Sequence, residues 1–346
     1  MTIPPEILFH RFFQEISPRQ IFVPPGSSDP RPYRGKKDLS DLQPSALQSL
    51  LVGIQESFNE DLRNEKRNVP EHVDHPPFHL DYVDSSIPNA LAFQYKGYSF
   101  IGITTALITL LWNICVRLSG STTIATLLRV RLMPEERDRL HILLFRSQLN
   151  FVVSHEYTHH VHEHVSRWGA ESILSNEILD VGETADLDQQ TREVDADGYA
   201  AYHVLSNLID GGGRSQAVSL LRLDAEPNGV QDEVLFSCFV VALGAYLFVR
   251  PPITLDSARL YRLTHPPQSA RMNSLMHQAI GWCRQNRTAL EAWMTPGRFQ
   301  VLMNGVAEAT WGMNGGGDWA AQVAFLQSEE GSEYIRKLGR SLKTYI

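Results

Sequence analysis

The chain has 346 residues, 43% hydrophobic and 20% charged. That balance excludes a disordered chain, a collagen-like repeat and a small disulfide scaffold. Lys and Arg number 31 against 39 Asp and Glu, a formal net charge of -8 with no long basic run, so no nucleic-acid partner is expected. Of 13 histidines, His155, His159, His160, His162 and His164 crowd into a ten-residue stretch.

Residues 1–20 have the spacing of a short amphipathic helix (Ile7, Leu8, Phe12, Phe13, Ile16). A Pro/Gly-rich linker over 22–47 follows, which leaves that helix room to act as a mobile cover. Helical periodicity returns over 45–67 through Leu47, Leu50, Leu51, Ile54, Phe58 and Leu62. From Pro88 aromatic and β-branched residues flank Lys96-Gly97, which predicts a hairpin whose second arm, 98–104, leads into a helix near Leu107. The longest predicted helix covers 135–168, opened by Pro134 and the acidic pair Glu135 and Glu136, with Gly169 as its stop. Another is expected from Thr191 to Ile209, ended by Gly211-Gly212-Gly213. The apolar runs Phe100 to Val116 and Val234 to Val249 fall short of the roughly 20 residues that a membrane span needs. Core elements are expected there, and membrane contact is not. Cys115, Cys238 and Cys283 are few and far apart, and no signal peptide is evident, so a cytoplasmic location is expected.

His155-Glu156-Tyr157-Thr158-His159 is an H-E-x-x-H string on the longest predicted helix. Positions i and i+4 share a helix face about 6 Å apart along the axis, so two imidazoles can reach one metal ion. Glu156 is turned enough to reach a water on that ion and act as general base. The competing explanation is a His-rich exposed helix face. A metzincin pattern would need Gly at 162 and His at 165, where the chain has His162 and Val165, so the third ligand should be a carboxylate from a later helix. Glu193-Val194-Asp195-Ala196-Asp197 supplies one. Glu193 and Asp197 share a face and Asp195 does not, while Ala196, Ala200 and Ala201 keep this helix thin. Glu193 is read as the third ligand and Asp197 as the acceptor behind a ligating imidazole. His160, His162 and His164 are expected to face solvent or line a cleft mouth.

Three stretches resemble the HtpX/Oma/CAAX-prenyl-protease group of gluzincin metallopeptidases: Pro88-Asn89-Ala90 with its aromatic arm to Thr105, HEYTH with the E-x-x-A-D of Glu193 to Asp197, and Thr264-His265-Pro266-Pro267 with Arg271 and Leu275. The resemblance covers about 88 to 276. It implies one Zn2+ held by His155, His159 and Glu193, Glu156 as base, and His265 or Arg271 near the cleft to stabilise the oxyanion. It also implies that the 98–104 arm is an edge strand pairing with extended substrate. The chain lacks the clear membrane spans of HtpX-type members and is similar in plan to soluble Lit-like H-E-x-x-H proteases.

The expected fold is α+β, a gluzincin-like core with a small antiparallel sheet packed on zinc-bearing helices. The expected organisation is an N-terminal helical and linker region at 1–80, a catalytic core at 81–285 and a C-terminal helical region at 286–346. The expected function is zinc-dependent endopeptidase activity on a protein or peptide substrate. A non-catalytic zinc-dependent peptide-binding module and a membrane-associated protease are the alternatives.

Overall fold

The computed structural model describes residues 3–15, 32–41, 45–65, 77–131, 133–165, 187–249, 255–256, 260–312 and 317–342. The chain divides into two compact units, Met1–Thr109 with Glu156–Val181, and Leu110–His155 with Gly182–Ile346.

The first unit is built on a four-stranded sheet. Its described elements are α1 (Pro5–Glu15), β1 (Tyr33–Lys36), α2 (Ala46–Glu65), β2 (Phe78–Ser85), β3 (Ala90–Tyr95) and β4 (Tyr98–Thr104). The strand order is β1-β2-β4-β3. β3 and β4 form the expected hairpin, and Lys96 (φ 49°) and Gly97 (φ 82°) supply the two left-handed residues that a tight two-residue turn requires. β2 runs parallel to β4, from Phe78 opposite Ser99 to Val83 opposite Thr104.

Two expectations are corrected here. The sheet is mixed rather than antiparallel, because β2 inserts parallel to β4. The 98–104 arm is an interior strand, hydrogen-bonded on both sides, and β3 lies at the edge. The linker stretch also carries β1, which pairs antiparallel with β2. Four residues with only two buried side chains leave too short a pattern to read as a strand.

Helix α1 is part of the core of this unit. Leu8, Phe9, Phe12 and Phe13 are buried. Phe12 stacks on Phe93 with ring centroids 4.0 Å apart, and Phe9 lies 5.7 Å from both Phe93 and Phe100. Gly102 permits this approach, since a Cβ there would meet Val83 at 3.1 Å and Phe9 at 3.3 Å. Burying several aromatic rings stabilises the docked helix by roughly 1.5–3 kcal/mol for each one fully removed from water. That is an anchor, which corrects the mobile-cover expectation. On α2, Asn59 accepts from the Leu80 N–H at 2.8 Å and donates to the Leu80 carbonyl at 3.0 Å, tying the helix to β2.

The second unit is helical in its described residues. α3 (Thr105–Gly120) and α5 (Pro134–Val161) each run through the division between units, and α4 (Thr122–Leu128) lies between them in the chain. Then come α6 (Leu187–Leu205), a π-helical turn (Ser206–Asp210), α7 (Gly213–Leu220), α8 (Asn228–Leu247), α9 (Gln268–Asn286), α10 (Thr288–Trp293), α11 (Pro296–Trp311), α12 (Gly317–Gln327) and α13 (Glu329–Leu342). The α5 helix ends at Val161, and the expected stop at Gly169 lies outside the described residues. Helix α8 is long and apolar enough to cross a membrane, yet 89% of its apolar window is buried within the protein. Together the two units make an α+β, mostly helical protein with one small mixed sheet.

Candidate metal centre

Helix α5 delivers the H-E-x-x-H string in its last turns, as the spacing requires. His155 closes the first stretch of the second unit, and Glu156 and His159, next on the same helix, belong to the first unit. All three are buried. An exposed histidine face is therefore excluded as the explanation of the string.

Within the second unit, α5 meets α6 at His155. Its Nε2 lies 3.2 Å from Glu193 Oε2, and its Nδ1 lies 3.1 Å from Asp197 Oδ1. The imidazole thus stands between two carboxylates one helical turn apart. Glu193 and Asp197 are fully buried, whereas Asp195 is partly exposed, as three residues of one helix at alternate positions should be. Ala196, Ala200 and Ala201 are completely buried, which lets α6 pack closely.

Behind Asp197 stands Arg271 of α9. Its Nε and Nη2 donate to the two carboxylate oxygens, each at 2.7 Å. Burial by itself would raise the Asp197 pKa. The charge and hydrogen bonds of Arg271, joined by His155, outweigh it and hold the carboxyl below its ordinary value. His265 reaches the same group from the segment before α9, with Nε2 3.2 Å from Glu193 Oε2 and Nδ1 3.1 Å from Thr264 Oγ1. Arg271 is therefore engaged on Asp197, and His265 is the residue of the Thr264–Pro267 segment that approaches Glu193.

The donor chemistry suits a divalent cation. Two buried carboxylates, Glu193 and Asp197, stand beside His155 with one guanidinium, on Asp197, so with both carboxylates ionised and the imidazoles neutral the buried group would carry excess negative charge. A bound cation would offset that cost. A carboxylate on Nδ1 of a histidine leaves Nε2 as the coordinating nitrogen, an arrangement common around metals held by imidazole and carboxylate. Buried histidines and a buried glutamate of this kind could bind a metal ion.

In the first unit the remaining histidines of the cluster are also placed. His160 is buried with Nε2 2.9 Å from the Phe100 carbonyl, and burial pushes its pKa down to about 4 against the pull of that carbonyl. His164 is buried with Nδ1 3.0 Å from His159 Nδ1. The expectation of solvent-facing rings is thus wrong for both. Of these three rings, only His162 is partly exposed.

Sequence reasoning missed the support for the His265 segment. Gln190, one turn before Glu193 on α6, donates to the carbonyls of Leu260 (3.0 Å) and Leu263 (2.7 Å), and accepts from the Tyr334 hydroxyl of α13 at 2.6 Å. Gln322 of α12 accepts from Ser269 Oγ at 3.1 Å. Lone glutamines carry no motif, so only the folded contacts reveal them.

Residues 129–281 match the family model described as Peptidase U49. The matched stretch includes α5, α6 and the Thr264–Arg271 segment, and so takes in every residue of the candidate centre. It supports a peptidase family and hydrolysis of peptide bonds. No curated protein and no solved structure matches the chain.

Proposed function

We propose that this chain is a zinc-dependent endopeptidase of gluzincin type, acting on a protein or peptide substrate in the cytoplasm. The observation that carries the reading is His155, held between Glu193 at 3.2 Å and Asp197 at 3.1 Å inside a stretch that matches a peptidase family. His155, His159 and Glu193 are the residues that would hold the ion. Once bound, it would supply Lewis acidity to a water and to the scissile carbonyl.

The other roles follow from this chain's own groups. Glu156 takes a proton from the attacking water and delivers it to the leaving amine, as a general acid–base carboxylate does. His265, whose Nε2 lies 3.2 Å from Glu193 Oε2, would be free to donate to the oxygen that gains negative charge once that carboxylate oxygen is taken up by an ion. Asp197 fixes which nitrogen of His155 faces the ion. Three buried free cysteines fit a reducing compartment. A purely peptide-binding module has no use for a buried carboxylate at 156, which favours catalysis. The burial of α8 favours a core helix over a membrane anchor.

The test is cleavage of a peptide library read by mass spectrometry, with wild type, the Glu156→Gln variant and chelated enzyme side by side. Wild type alone should produce fragments. The same fragment pattern in all three would overturn the reading.

A further inference from the structure

We propose that Arg271 is a positioning residue for the metal centre and acts through Asp197 on the His155 ring. This rests on the reading of His155 and Glu193 as metal ligands. Arg271 is buried, as is Asp197, and the pair is bidentate: Nε to Oδ2 and Nη2 to Oδ1, both 2.7 Å. A planar fork of this kind fixes the orientation of a carboxylate, which a single-point ammonium does not. Oδ1, the oxygen that receives Nη2, is also the one 3.1 Å from His155 Nδ1.

The chain of contacts therefore runs from α9 through α6 to α5, with one oxygen shared between guanidinium and imidazole. Three consequences follow for the imidazole. Nδ1 is the nitrogen that faces Asp197, which favours the tautomer with its proton on that side when Nε2 holds a metal. Nε2 is left to face Glu193. The plane of the ring is set by a carboxylate that cannot rotate without breaking two charge-assisted bonds. The Arg271 guanidinium also lies 6.0 Å from the Tyr246 ring centroid, which holds it on the α8 side. With Nε and Nη2 both on Asp197, Arg271 serves the carboxylate rather than a substrate oxygen. It sets the centre's affinity for metal.

The test is zinc affinity by chelator competition on the full-length protein, for wild type, Arg271→Lys, Asp197→Asn and the double variant Asp197→Asn/Arg271→Met. The double variant removes both buried charges together and guards against misfolding caused by one unmatched charge. Cobalt absorption spectra of the same proteins report ligand geometry independently of turnover. Arg271→Lys should weaken zinc binding about tenfold or more and alter the cobalt spectrum. The double variant should bind no more weakly than Asp197→Asn alone, because both changes break one pathway. Unaltered zinc affinity in Arg271→Lys, or a double variant that binds zinc clearly more weakly than Asp197→Asn, would overturn the proposal and leave the metal reading standing. Failure of wild type to bind zinc would remove both.

Discussion

The Tyr334 hydroxyl donates a 2.6 Å hydrogen bond to Gln190 Oε1, and Gln190 passes two hydrogen bonds to the carbonyls of Leu260 and Leu263. A residue near the end of the chain thereby braces the segment that leads to His265. Tyr334→Phe should lower stability by ~1–3 kcal/mol, since it leaves a buried amide oxygen without its donor. Hydrogen exchange of amides 260–265 should accelerate more than that of α8. Equal acceleration in both would show that Tyr334 contributes only to general packing.

Glu156 and Glu193 should separate cleanly on substitution. Glu156→Gln should retain bound metal at the wild-type ratio and lose cleavage by roughly 10²–10⁴-fold or more, the usual worth of a positioned acid–base group. Glu193→Gln should lose both metal and activity. Metal content by mass spectrometry and a peptide-cleavage assay check the pair, and metal loss in Glu156→Gln would contradict its assignment as base.

Chelation offers a second test of the centre. The buried group around His155 carries two carboxylates against one guanidinium, so removing a bound cation should destabilise the fold as well as stop cleavage. A lower melting temperature in chelator, restored by added zinc, is the expected result. An unchanged melting temperature would mean that no ion stabilises the folded state.

Two glycines of α13 should respond in opposite directions to alanine. At Gly331 a Cβ would fall 2.5 Å from Leu326 Cα, a backbone contact that cannot swing aside, so Gly331→Ala should cost ~1–3 kcal/mol. Gly339 has nothing within 4 Å, and Gly339→Ala should stabilise the helix by about 0.5–1 kcal/mol. Denaturant melts of the two variants, measured together, decide it.

The three thiols should be inert in the native protein. Burial pushes Cys238 and Cys283 up to about 12 and Cys115 well above its ordinary value. At pH 8 roughly one thiol in ten thousand would then be ionised at a pKa of about 12, so alkylating reagents should label only unfolded chains. A pKa raised by folding also means that this contribution to stability is complete below the unfolded thiol value. It is lost as pH rises from about 8.5 towards 12. Rapid labelling of the native protein at pH 8 would refute this.

Local patterns in the sequence already marked out the candidate residues. The i, i+4 spacing of His155 and His159 and of Glu193 and Asp197, the two-residue turn at Lys96-Gly97 and the apolar face of α1 all depend on helix or hairpin geometry over a few residues, which sequence encodes directly. Tertiary structure decided what those residues meet. The parallel pairing of β2 with β4, the burial of His160 and His164, the Arg271 fork on Asp197 and the Tyr334–Gln190 brace all join residues distant in the chain. Such contacts are set by packing of whole elements, and no local period announces them. The histidine cluster shows the division most plainly: spacing singled out His155 and His159, with Glu193 and Asp197 on the later helix, but only the fold showed that His155 is the ring standing between both carboxylates and took His160 and His164 out of solvent.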